Sequence, residues 1–385
     1  MSGSGKPLPP GSSIGILGSG QLGRMLALAA RPFGYDVHVY APDAHGSPAA
    51  AVADSAVQAD YTDRDALRRF GQLCDVVTVE FENIPAETLK ILAEYTHVRP
   101  GARSLHICQN RLREKQFLVD AGLPVAPFRR VSTPEELEEA IAEIDFPAVL
   151  KTGGFGYDGK GQLLLHGPDD LAGAPAILDA GEAVLEAFVD FSSEVSVIAA
   201  RSASGETGSY GLFHNVHRNH ILDVTTVGGS SPDGAAEKQA ADMAGRVLEA
   251  LGHEGVLCVE LFRLEDGTLL VNEVAPRVHN SGHVTIEAAH SSQFQQHIRA
   301  VAGLPLGDFG FRIPAAMVNL LGDLWNEGEP AWEAALSDPR VQVHLYGKKE
   351  ARPGRKMGHL TMTGETIAVA EKAALRARER LVGRG

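Results

Sequence analysis

The residues best placed to do chemistry in this chain are Glu260 and Glu273, within GVLCVELFRLEDGTLLVNEVAPRVHNSGH at 255–283. Residues 256–264 and 268–275 are apolar, β-prone runs on either side of Asp266-Gly267, a dipeptide that favours a two-residue hairpin loop. Counting inward from that loop pairs 265 with 268, 264 with 269 and 262 with 271, and it sets Glu260 directly opposite Glu273. Directly opposed side chains lie roughly 4.5–5.5 Å apart, where like charges repel. Two carboxylates at the end of an apolar strip must share a proton, be neutralised or hold a cation. Mg²⁺ bridging nucleotide phosphates is a common use of such a pair; an exposed edge hairpin with two solvated glutamates is the plain alternative. Pro276 cannot continue a central strand, and Arg277, His279, Asn280 and His283 crowd the residues that follow. Polar and cationic groups beside a carboxylate pair suit an anionic ligand held next to a metal.

The rest of the chain must position these groups. Its 385 residues allow two or three domains, and 44% hydrophobic with 22% charged residues is ordinary for a globular protein. A net charge of −14 argues against nucleic acid as a partner, which needs a basic face. A phosphate-bearing substrate must instead meet a local basic cluster. Cys74, Cys108 and Cys258 are widely spaced in apolar contexts; they read as reduced, buried thiols of a cytoplasmic protein, without zinc spacing. No apolar run reaches transmembrane length, so no membrane is expected. Residues 1–13 are rich in Gly, Pro and Ser and read as a disordered leader.

A short buried strand at 13–17 is followed by Gly18-Ser-Gly-Gln-Leu-Gly23 and an apolar-periodic helix to 30. Strands at 36–40 and 75–80, a third led into by 51–57, and helices at 63–74 and 86–94 continue the alternation of a parallel sheet with helices on both faces, ending near 108. Gly18, Gly20 and Gly23 form GxGxxG, with Asp43 beyond the second strand, so an NAD-binding domain is the rival reading. An amphipathic helix at 104–121 carries Arg111, Arg113 and Lys115. Lys151 ends a strand at 147–151, and the glycine-rich loop 152–161 leads into another strand at 162–166. Gly154 to Lys160 spells GxxxxGK, but Gly161 stands where a P-loop needs Ser or Thr, and no helix follows. Such a loop can fold over a nucleotide and offer backbone N–H groups to phosphates. Strands at 183–189, 193–200 and 208–217, a helix at 232–251 and another at 285–301 frame the hairpin. Residues 306–385 hold short strands, a last helix at 368–380, and the cationic run Lys348, Lys349, Arg352, Arg355 and Lys356 around Pro353-Gly354.

Taken in order, Lys151 with its glycine loop, Glu186-Ala-Phe-Val189 with Glu194, and Glu260 with Asn272-Glu273 resemble the ATP-grasp superfamily. Four motifs narrow the resemblance: Gly20-Gln-Leu-Gly-Arg-Met25, Gly156-Tyr-Asp-Gly-Lys-Gly-Gln162, Ala275-Pro-Arg-Val-His-Asn-Ser-Gly-His283 and Arg352-Pro-Gly-Arg-Lys-Met-Gly-His359. They resemble the N5-carboxyaminoimidazole ribonucleotide synthetases, ATP-dependent carboxylases of purine synthesis. The resemblance implies an α/β fold, α+β overall, in which an ATP-grasp domain at 109–305 (lid about 125–190) follows a Rossmann-like domain at 14–108 and precedes a small β-rich domain at 306–385.

By matched position it implies that Arg111 and Lys151 contact the phosphates of ATP, under a mobile lid of Gly156, Tyr157, Asp158, Gly159, Lys160, Gly161 and Gln162. Glu186, Ala187, Phe188 and Val189 would read adenine, Glu194 the ribose, and His217 and Asn272 would lie by the nucleotide. Glu260 and Glu273 would hold Mg²⁺, with Arg277, His279 and Asn280 around bicarbonate and the carboxyphosphate made from it. Aminoimidazole ribonucleotide would lie among Gln21, Leu22, Glu80 or Glu82, Tyr157, Asp158, Lys348 and Arg355. Ala275 stands where many superfamily members carry a metal-binding Asn, two residues after the second metal glutamate. The resemblance further implies a homodimer. Two rival activities are formate-dependent formylation of glycinamide ribonucleotide, against which Gln21 speaks because that branch places Glu there, and NAD-dependent redox chemistry on the N-terminal domain.

Overall fold

A computed structural model describes residues 6–154, 161–228 and 234–383. The N-terminal sheet is parallel, with strands in the order Ser55–Gln58, Asp36–Ala41, Ser13–Leu17, Val76–Val79, His97–Val98. Helices Gln21–Ala30, Arg64–Leu73 and Ala86–Leu92 alternate with its strands. Ile14, Ile16, Val37, Val39, Val76 and Val77 are fully buried, as expected of a parallel sheet covered on both faces. The chain reverses its direction of winding between Ser13–Leu17 and Val76–Val79. Ligands of open α/β sheets bind beyond the carboxyl ends of strands at such a point, and here the Gly18–Gly23 turn and Glu80–Glu82 lie there.

A second, antiparallel sheet runs Phe128–Val131, Ala183–Ala187, Ala148–Thr152, Gln162–Leu165. Helix Pro134–Ile144 packs its Leu137 and Ala140 into the same core as Leu150 and Leu185. Among the described residues the third sheet has nine strands. Eight follow in the order Leu269–Ala275, Gly255–Arg263, Ser193–Arg201, Phe213–Arg218, Ile221–Val227, Ala315–Leu321, Lys356–Thr363, Gln342–Leu345, and Thr207–Ser209 joins the side of Ser193–Arg201. The C-terminal strands therefore extend the central sheet through Val224–Val227 and Ala315–Val318. Helix Gly234–Leu251 covers one face with Ala240, Ala244, Val247 and Leu251, against Val195, Val197, Leu257 and Val259.

Several elements differ from the sequence expectation. The helix expected over 104–121 is two helices, Ala102–Cys108 and Arg111–Asp120. Asn110 breaks it: its side chain caps the second helix by accepting the N–H of Arg113 at 2.9 Å. Arg111 N then donates to Gly153 O at 2.7 Å, tying the helix start to the glycine-rich loop. The helix expected over 285–301 is likewise split into Thr285–Ala288 and Gln293–Val301, the latter opened by a Ser292/Gln295 capping box. The strand expected over 208–217 is two pieces, and Ile221–Val227 was not foreseen. Its turn is Asn219-His220, both with positive φ (50 and 63), a tight hairpin turn made without glycine.

Candidate functional site

The Glu260/Glu273 hairpin forms one wall of a cleft of about 1430 Å³ among the three sheets, larger than the roughly 300–1,000 Å³ of a single small-molecule site. Glu260 faces Glu273 across the strands, but the path to that register differs from the expected one. Leu264 N donates to Thr268 O at 2.9 Å and Gly267 N to Leu264 O at 3.0 Å, so the loop holds three residues, with Gly267 left-handed at φ +85. That loop pairs Phe262 with Leu270 and Leu261 with Val271, and a bulge at Asn272 then restores Glu260 to Glu273. The expected Phe262–Val271 and Leu264–Leu269 pairs are therefore not formed. Burial, together with the Glu260 carboxylate, raises the acid of Glu273 above its ordinary value. Glu114 lies nearby, and burial with the Glu273 carboxylate pushes its acid up to about 8.

Cations gather around Glu186 and beside Glu273. Lys115 Nζ and Lys151 Nζ each lie 3.1 Å from Glu186 Oε2. Burial opposes the charge of Glu186, but the two ammonium groups outweigh it and lower its acid. The pKa of Lys151 is lowered by burial, against the pull of Glu186. Arg111 Nη1 stands 3.5 Å from Glu273 Oε2. From the sequence, Lys115 lies on the helix with Arg111 but has no role assigned at the site; its place one helical turn after Arg111 is the available signal. Past Glu186, Ala187 N and Phe188 N are already bonded to Pro127 O (2.9 Å) and Pro147 O (3.1 Å). Phe188 and Phe191 are exposed at the cleft (43% and 38%), and Phe191 stacks on Phe262 with centroids 4.6 Å apart. His217 Nδ1 meets Glu194 Oε2 at 2.8 Å. Burial works against the charge of His217, yet this contact raises its pKa. Gln162 and Asn272 line the cleft. Gly161 O accepts the N–H of Thr152 at 2.8 Å. Gly156, Tyr157, Asp158, Gly159 and Lys160 lie outside the described residues.

The glycine turn at the N-terminal sheet is filled by the chain itself. Glu80, buried, accepts the N–H groups of Gly20 and of Gly23, the latter at 2.6 Å. A Cβ at Gly18 would lie 2.3 Å from Glu80 Cγ, and one at Gly20 would lie 2.9 Å from Glu80 Oε1. The glycines thus make room for a carboxylate, and the N–H groups that would cradle a dinucleotide's pyrophosphate are occupied. Of the two acids left open by the sequence, Glu80 is held in this way and Glu82 grips Arg277 through two hydrogen bonds, Arg277 Nη2 to Glu82 Oε1 at 2.9 Å and Nε to Oε2. Burial opposes the charge of Glu82, but Arg277 lowers its acid. Gln21 and Leu22 line the cleft beside them. Lys348 Nζ donates to Lys356 O at 2.7 Å and is close enough to Glu80 to favour its ionised form. Arg355 Nη1 donates to Glu350 O at 2.9 Å. Of the cationic run, Lys356 lines the cleft, and the structure brings neither Lys348 nor Arg355 to its wall.

His279 is held from two sides. Its Nε2 lies 2.8 Å from Glu260 Oε1, and its Nδ1 lies 2.9 Å from Ser281 Oγ. A buried chain of hydrogen bonds continues: Ser281 Oγ to Ser196 Oγ, Asn215 Nδ2 donating to Ser196 Oγ, and Thr225 Oγ1 donating to Asn215 Oδ1, each at 2.9 Å. These links fix the ring's direction. Burial opposes the imidazolium, but Cys258 and Glu260 beside it raise its pKa to about 10. The same burial opposes Glu260, whose acid His279 nevertheless holds down at about 2. Both side-chain amide atoms of Asn280 are buried without a partner among the described residues, which suits a ligand-facing role.

A divalent cation fits here. Glu273 carries a raised acid opposite a second carboxylate, and an ion between them would remove that repulsion. Ala275 adds no oxygen ligand from its side chain. The fold and this lining define an ATP-grasp enzyme: residues 116–294 match the ATP-grasp domain, residues 12–109 the ribonucleotide synthetase preATP-grasp domain, and residues 315–373 the phosphoribosylaminoimidazole carboxylase C-terminal domain. The chain is 48% identical over 356 residues to the N5-carboxyaminoimidazole ribonucleotide synthase of Brucella melitensis, covering 92% of this chain and 97% of that one. It is 44% identical over 352 residues to that of Bacillus subtilis, covering 91% of each. A crystal structure of an ADP complex of N5-carboxyaminoimidazole ribonucleotide synthetase superposes with a TM-score of 0.91 at 42% identity, over 97% of both chains. The Aspergillus clavatus synthase in complex with ADP and 5-aminoimidazole ribonucleotide gives 0.88 at 32% identity, covering 97% of this chain and 99% of that one. The chain belongs to the N5-carboxyaminoimidazole ribonucleotide synthase family.

Proposed function

We propose that this cleft carboxylates the amine of 5-aminoimidazole ribonucleotide with bicarbonate, cleaving ATP to ADP and phosphate, as a step of purine synthesis. The observation that carries the reading is the opposed Glu260/Glu273 pair sharing one cleft with Lys151 and Arg111, with Lys115 set behind Glu186. Adenine would lie by Phe188 and Phe191, read by the N–H of Val189 because those of Ala187 and Phe188 are engaged. Glu194, with His217 behind it, would take the ribose hydroxyls. Glu260 and Glu273 would hold Mg²⁺, which supplies charge neutralisation at the phosphates when bound. Lys151 and Arg111 would orient the γ-phosphoryl group for in-line attack by a bicarbonate oxygen, giving carboxyphosphate and ADP. Arg277, fixed by Glu82, together with His279 and Asn280 would hold the carboxyphosphate. The amine then takes the carboxyl group or the CO₂ released from it, phosphate leaves and one amine proton is lost. The ribonucleotide's phosphate would meet Lys348 and Lys356, with Arg355 in an outer position.

Phosphate release that requires both bicarbonate and aminoimidazole ribonucleotide tests this reading; support by formate with glycinamide ribonucleotide would favour formylation instead. The family resemblance also carries a homodimer and a cytoplasmic setting into the proposal, with divisions near residues 108 and 305, and light scattering tests the dimer. Among the described residues no helix is long and apolar enough to cross a membrane.

A further inference from the structure

Helix Arg111–Asp120 presents Arg111 and Glu114 to the cleft and sets Lys115 against Glu186 behind its wall, as residues at i, i+3 and i+4 share a face. Arg111 and Lys115 meet acids there, but Glu114 does not act on the cleft in the same way. Its Oε1 accepts the backbone N–H of Val274 at 2.7 Å. Strand Leu269–Ala275 is the edge of its sheet, so its outward N–H groups have no strand to bond among the described residues. Val271 N donates instead to Pro124 O at 2.8 Å, and Val274 N to Glu114. Between these two anchors lie Asn272, the extra residue of the bulge, and Glu273. A bulge interrupts the ladder locally, so this register gains support from outside the sheet.

We propose that Glu114 is a positioning residue: by accepting Val274 N–H just past the bulge it holds the Glu273 carboxylate opposite Glu260, and it acts as a hydrogen-bond acceptor, not as a third anionic ligand. Its role in catalysis rests on the reading that Glu260 and Glu273 hold the cation. The same helix that presents Arg111 to the phosphates thereby sets the strand that presents Glu273.

The test compares full-length Glu114→Gln, Glu114→Asp and Glu114→Ala. Gln keeps an oxygen at the same reach without the charge; Asp keeps the charge but withdraws the oxygen by one methylene. Gln is expected within about threefold of wild type in kcat and in the Mg²⁺ concentration for half-maximal rate. Asp and Ala should lose about 30-fold or more in kcat and need about tenfold more Mg²⁺, with KM for the ribonucleotide within about twofold. Hydrogen exchange at the Val274 amide, measured without metal or nucleotide, should quicken by about 100-fold in Asp and Ala and stay near wild type in Gln. Gln as impaired as Ala, or Asp as active as wild type, would show that the charge matters and overturn the proposal. Unchanged Val274 exchange in Asp would also overturn it, and it remains measurable if Ala does not fold. If exchange responds as expected while Glu273→Gln is fully active, the hydrogen bond stands and the cation reading fails instead.

Discussion

Replacing Glu80 tests what the glycine turn is for. Its carboxylate satisfies two backbone N–H groups, those of Gly20 and Gly23, in a buried position. A buried donor left without a partner costs about 1–3 kcal/mol, so Glu80→Ala has a gross loss of about 2–6 kcal/mol. Part is recovered, because burial raises the acid of Glu80 despite both hydrogen bonds, which marks the ionised carboxylate as itself under strain from desolvation. The expected net is therefore about 2–4 kcal/mol, a large share of an ordinary folding stability of about 5–15 kcal/mol. Glu80→Gln keeps one acceptor and sets an amide N–H against the other donor, so about 1–3 kcal/mol should go. Urea unfolding with the slope checked for constancy measures both. The emptied turn in Glu80→Ala again offers two N–H groups, so millimolar sulfate or pyrophosphate should raise its Tm by more than it raises that of wild type. Wild type should show no shift with NAD(H) and a clear one with Mg-ATP. Glu80→Ala within about 0.5 kcal/mol of wild type, or NAD(H) stabilising the wild-type protein, would refute the argument that the chain occupies its own anion site.

Glu273→Gln should lower kcat by at least about 100-fold while ADP binding measured by calorimetry in metal-free buffer changes little. Lys115→Met leaves Glu186 with one cation instead of two and should weaken ATP affinity, which equilibrium dialysis reads directly. Without metal, the Glu260–His279 pair gives a two-sided pH dependence of stability. The acid of Glu260 falls from 4.5 to about 2 on folding, so its contribution is complete above the unfolded value and is lost as pH drops toward 2. The pKa of His279 rises from 6.5 to about 10, so its share is complete below 6.5 and is lost as pH climbs through 10. Denaturation curves for Glu260→Gln should therefore differ from wild type most between about pH 4.5 and 6.5; a constant difference from pH 3 to 9 would count against the pair. Ser281→Ala removes the hydroxyl beside His279 Nδ1 and should reduce kcat by about tenfold with ATP affinity unchanged.

Local rules carried much of this protein. Apolar strands alternating with periodic helices gave the N-terminal parallel sheet, because burial on both faces is written in the residues of each strand. Motif spelling was enough to mark Lys151, Glu186, Glu260, Glu273 and His279, and the structure gathers them in one cleft. The Glu260–Glu273 register was also legible, although by a path that local pattern missed: the loop is one residue longer than expected, and the bulge at Asn272 shifts the ladder back. Turn type and bulge depend on contacts outside the hairpin, and here Pro124 and Glu114 take the edge N–H groups.

The meaning of GxGxxG could not be read locally at all. The sequence offers three glycines in a turn, and only the strand order brings Glu80 beneath them to claim two N–H groups that a dinucleotide would need. Lys115, Glu186 and Lys151 likewise come from one helix and two strands. Two positive charges and one negative act strongly on one another only once packing has removed the water between them, and desolvation is a property of the assembled fold, not of any stretch of chain.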